Sequence, residues 1–107
     1  MIAAARERMS VPQLRLWEAI HIAQEKWAQH PFGDESQGFW VVAVMGRIVV
    51  WYNDIEEGFN CSHYSRYGVI DEYWCNQDEL EMTVQQLVNV IGSGQDTTLQ
   101  LGPSQPA

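Results

Sequence analysis

Two apolar segments, residues 39–45 and 48–53, are separated only by Gly46 and Arg47. Both are rich in β-branched and aromatic residues and are strand-sized. Glycine accepts a positive φ at the first position of a two-residue turn, so the pair reads as a β-hairpin. Pairing outward from the turn sets Met45 opposite Ile48, Ala43 opposite Val50 and Val41 opposite Tyr52. One face of that hairpin carries Phe39, Val41, Ala43, Met45, Ile48, Val50 and Tyr52. The other carries Trp40, Val42, Val44, Val49 and Trp51, with Trp40 and Trp51 as diagonal neighbours. Both faces are apolar, so helices packed on one face leave the other either as an interface or to be covered by the tails or the acidic loop, and this constrains the fold more than any other feature of the chain.

The flanking sequence offers helices. Ser10 and Gln13 have capping-box spacing and Pro12 falls in the first turn. Leu16, Ile20, Ala23 and Trp27 then form one helical stripe, which predicts a helix ending at His30-Pro31-Phe32-Gly33. Asp54 to Ser62 reads as an acidic loop. Tyr64 to Cys75 is expected to contain a third strand. Asn76 and Glu79 form a second capping box, followed by the stripe Leu80, Val84, Leu87, Val88 and Ile91, with Gly92 as the stop. The expected class is α+β: an α-β-β-β-α order, as a three-stranded antiparallel meander with two helices on one face. Residues 1–9 read as a flexible N-terminal tail, 10–92 as a single domain, and 93–107 as a disordered C-terminal tail.

This order is similar to that of double-stranded-RNA-binding domains, in topology only. The second helix would begin Gln77-Asp78-Glu79, with no Lys/Arg cluster to grip phosphate. Charge points the same way. The 107-residue chain has a net charge of −8, and residues 31–107 hold two basic side chains against eleven acidic ones. A phosphate backbone is repelled by such a surface, whereas a basic protein is attracted. No apolar stretch approaches the roughly 18 residues of a membrane span. The apolar run at the N-terminus precedes the first charges, opposite to a secretory signal. The expectation is a cytoplasmic protein without membrane or nucleic-acid partners.

Reactive-group patterns are sparse. Cys61, His63 and Cys75 lack a fourth ligand for zinc and lack any motif that would make a cysteine nucleophile. Both cysteines are expected as thiols. Asn53 to Gly58 has the start of a calcium loop, but Tyr64 stands where the loop needs glutamate. Adjacent pairs such as Asp71 and Glu72 point to opposite sides of a strand and suit solvent better than acid–base work. His21 and His30 read as surface or capping residues. No catalytic residue, metal or cofactor is expected.

The favoured function is therefore a non-enzymatic acidic protein-binding domain, of the bacterial inhibitor or immunity type, against a basic partner. Its contact residues are expected to be Trp40, Val42, Val44, Val49, Trp51 and Trp74 on the uncovered sheet face, with Asp54, Glu56 and Glu57 in the acidic loop. The alternative is a homodimeric small-ligand-binding or enzyme domain, with a pocket between helix and sheet lined by Tyr52, Cys61, Tyr64 and Tyr67. A structural subunit of a larger complex is a third possibility.

Overall fold

The computed structural model describes residues 1–34 and 37–93; residues 94–107, which hold most of the expected C-terminal tail, lie outside the described residues. The fold is α+β. A four-stranded antiparallel sheet has the order β1-β2-β3-β4, formed by β1 (His21–Trp27), β2 (Phe39–Met45), β3 (Ile48–Asn53) and β4 (Gly58–His63). Three helices accompany it: α1 (Ile2–Arg8), α2 (Val11–Ile20) and α3 (Leu80–Ser93). The expected three strands and two helices thus become four and three.

The helices share one sheet face. Trp17 and Ile20 of α2, Ala5 of α1, and Leu80, Val84 and Leu87 of α3 pack with Val42, Ala43, Ile48, Val50, Phe59 and Cys61. α2 starts where the sequence places it: the Ser10 hydroxyl accepts from the Gln13 N–H, and the Gln13 carboxamide accepts from the Ser10 N–H at 2.9 Å. It ends earlier than the stripe implies. His21 is already extended, at φ −65° and ψ 148°, and residues 21–27 pair with β2. Ala23 to Lys26 are good helix formers, but pairing with the apolar hairpin overrides that preference. The spacing of Ile20, Ala23 and Trp27 is helical by coincidence: Ile20 packs under the helices and Trp27 on the opposite side of the sheet.

The hairpin turn forms as read, with Gly46 at φ 59°, Met45 opposite Ile48 and Ala43 opposite Val50. Further out the register shifts. Val41 faces Trp51 and Trp40 faces Tyr52, because a bulge intervenes between Val41 and Ala43. One extra residue in β2 reverses the side on which the following side chains emerge. Phe39 and Val41 consequently leave the helix face and join Val49 and Trp51 on the other. Trp40 moves the opposite way, to the helix side.

That other face is covered, which corrects the expectation of an uncovered tryptophan patch. The cover is residues 64–75, expected as the third strand. They form no ladder but cross the face, driving Ile70, Tyr73 and Trp74 onto Trp27, Phe39, Val41, Val49 and Trp51. Tyr73 also stacks on Phe32, with ring centroids 4.0 Å apart. Hydrogen bonds fix the cover: the Trp51 indole donates to the Ser62 hydroxyl at 2.9 Å, which donates to the Glu72 carbonyl at 2.8 Å. The strand that pairs with the hairpin after β3 is β4, drawn mostly from the expected acidic loop. Its Asn60 and Ser62 are buried, and their bonds to Asn76 and Glu72 make a polar strand tolerable there.

A candidate recognition groove

Four cross-strand pairs line up into one row. Lys26 of β1 faces Trp40 of β2, Trp40 faces Tyr52 of β3, Tyr52 faces Phe59 of β4, and Phe59 bridges to Asp78. A cation therefore stands at one sheet edge, three aromatic side chains cross the middle, and a carboxylate stands at the other edge. Neighbouring strands lie about 4.8 Å apart, so the aromatic part spans about 10 Å and the whole row about 19 Å.

Each member is held by its local sequence. The Lys26 ammonium sits 5.2 Å from the centre of the Trp40 ring and 3.5 Å from the Gly38 carbonyl oxygen, a cation–π placement. Tyr52 and Phe59 pack ring to ring with centroids 5.1 Å apart. Asp78 is placed by a clamp on the edge of β4. The Asn60 carboxamide accepts from the Asn76 N–H at 3.0 Å and donates to the Asn76 carbonyl at 3.1 Å, while the Phe59 N–H donates to the Asp78 carbonyl at 2.9 Å. Gly58 lets this segment approach: a Cβ there would lie 2.3 Å from the Asn76 oxygen. Asn76 is thus clamped to β4 instead of capping a helix, and α3 begins only at Leu80.

The row floors a groove. A cavity of about 350 Å³ is lined by Met1, Ile2, Gln24, Trp40, Val42, Tyr52 and Phe59. A second, of about 210 Å³, is lined by Met1, Tyr52, Glu57, Gly58, Phe59, Gln77, Asp78 and Glu79. They share Met1, Tyr52 and Phe59, so the two lie side by side as one groove region, with an apolar end and an acidic end. α1 forms its roof. Ala5 is buried, Arg6 pairs with Glu18, and Arg8 bonds Glu79 at 3.1 Å and also Glu81. Glu79 and Glu81 thereby have a cationic partner. Among the described residues, Glu57 and Asp78 have none.

The turn carrying Glu57 is organised by buried Asn53. Its side-chain oxygen accepts from the N–H groups of Ile55 and Glu56, at 3.0 and 3.2 Å, and its amide donates to the Tyr73 hydroxyl and the Trp74 carbonyl. Asp54 and Glu57 are exposed and Glu56 is half-buried.

The residues expected at a binding face separate. Trp40 remains 41 % exposed, Val42 is buried at the groove wall, and Val44 is half-buried. Val49, Trp51 and Trp74 are core on the covered side. The four residues of the alternative pocket do not come together either. Tyr52 lines the groove and Cys61 is buried near it, whereas Tyr64 and Tyr67 pack against Trp27 on the other side of the sheet. Burial, and secondarily the charge of Asp78, pushes the Cys61 thiol far above its ordinary pKa, so it stays protonated at neutral pH and is a poor nucleophile. Among the described residues no group of three or more His, Cys, Asp or Glu is placed to hold a metal ion, and no helix is long and apolar enough to cross a membrane.

Lys26, Phe59, Asp78 and Glu79 escape sequence reasoning because β1 reads as helix and β4 as loop. Their adjacency exists only through strand pairing. Comparison with family models, with curated proteins and with solved structures finds no match.

Proposed function

We propose that the chain is a non-enzymatic binding domain for a basic protein partner, of the inhibitor or immunity-protein type. One observation carries the reading: an aromatic groove that opens onto Glu57 and Asp78, carboxylates without a cationic partner among the described residues. Aromatic side chains supply large contact area at low conformational cost, and acidic side chains at the rim steer a cationic partner. The net charge of −8 adds a long-range attraction of the same sign. Asp54, Glu56 and Glu57 belong to this steering edge, and Trp40 is the member of the expected tryptophan pair that a partner can touch.

Panning a random-peptide library against the folded protein tests the reading. Enriched peptides are expected to carry net positive charge and at least one large apolar residue, and to elute at raised salt. Enrichment of acidic or uncharged peptides would overturn it.

A second reading keeps one specific observation. A cavity of about 350 Å³ between α1 and the sheet falls within the range of small-molecule sites, and Tyr52 lines it. A small amphiphile bound there would compete with the enriched peptides.

A further inference from the structure

We propose that the groove seats an extended segment of the basic partner lying across the strands, with apolar side chains on Trp40 and Tyr52 and a lysine or arginine between Glu57 and Asp78. This rests on the binding reading above and adds to it the form and polarity of the occupant.

The row from Trp40 to Asp78 crosses three strand spacings, about 14 Å, the length of about four residues of extended chain. The carboxylates stand beside Phe59 at one end only, and Trp40 stands at the other. A cationic side chain is attracted to the carboxylate end, so a basic segment has one favoured placement. Glu79 is shared with Arg8 and contributes less than Glu57 and Asp78. Trp40 is exposed and Tyr52 half-buried, so a partner can reach both rings, while Phe59 is buried beneath them.

The test is a charge-swap titration by calorimetry on the full chain. The probes are a capped synthetic peptide with three aliphatic residues followed by two lysines, and its counterpart with glutamates in place of the lysines. The unmodified protein is expected to bind the lysine peptide and not the glutamate peptide. Glu57→Lys with Asp78→Lys should weaken the lysine peptide at least about tenfold and create binding of the glutamate peptide. The milder pair Glu57→Gln and Asp78→Asn should weaken the lysine peptide alone, and serves if the lysine variant melts early. Trp40→Ser should weaken the lysine peptide with little change in melting. Lysine-peptide affinity that is indifferent to both charge pairs, or to Trp40→Ser, overturns the inference. So does a protein that enriches basic peptides from a library yet ignores this one; in that case the binding reading survives and the groove geometry does not.

Discussion

Trp40 and Trp51 lie on neighbouring paired strands, yet their rings occupy opposite faces of the sheet. Val42 sits in a bulge between them: Trp51 faces Val41 on the covered side, and Trp40 faces Tyr52 on the helix side. One extra residue thus assigns one tryptophan to the core and the other to the groove.

The two should respond differently to truncation. Trp51 is fully buried and donates its indole N–H to Ser62. Trp51→Ala should cost about 3–5 kcal/mol in urea unfolding, whereas Trp40→Ala should cost no more than about 1 kcal/mol. Equal losses at the two positions would contradict their assignment to different faces.

What the sequence makes legible follows the strength of local signals. The Gly46 turn, its nearest pairs and the α2 cap rest on contacts within a few residues and are read correctly. The Val42 bulge leaves no local mark, since Val41, Val42 and Ala43 are all apolar and any of them fits either face. β4 is hidden for the opposite reason. Gly58, Asn60 and Ser62 have low strand preference, and only their bonds to residues 72 and 76 make pairing there favourable. The groove depends on β1 and β4 together, so Lys26, Phe59 and Asp78 could not be grouped beforehand. The acidic bias and Trp40 were visible; their meeting place was not.

Asn53 joins the acidic turn to the covering segment through four hydrogen bonds. Asn53→Ala leaves buried polar groups unpaired and should cost about 2–4 kcal/mol. Hydrogen exchange at the Ile55 and Glu56 amides should accelerate relative to those of α3. A variant with normal exchange in the turn would mean that Asn53 does not organise it.

The hydrogen bond from Arg8 holds the Glu81 carboxyl below its ordinary pKa, with burial opposing in part. A lowered folded-state pKa contributes stability above the unfolded value, near about 4.3, and loses it as pH falls through the folded value. Arg8→Ala should therefore raise the Glu81 titration midpoint measured by NMR and make stability less steep in that acidic window. The effect should be small and reduced by salt, because the Arg8 end is exposed. An unshifted Glu81 titration would show that the pair does not form in solution.

The most direct measurement of the groove as a recognition surface follows the indole N–H signals of Trp40 and Trp51 in a ¹⁵N-labelled sample. The lysine-containing apolar peptide is added to saturation. The Trp40 signal should shift progressively while the Trp51 signal stays in place, and the Trp40 shift should need a higher peptide concentration in the Glu57→Gln, Asp78→Asn variant. A bound peptide that leaves Trp40 unmoved, or moves Trp51 as much, would place recognition elsewhere and contradict the account.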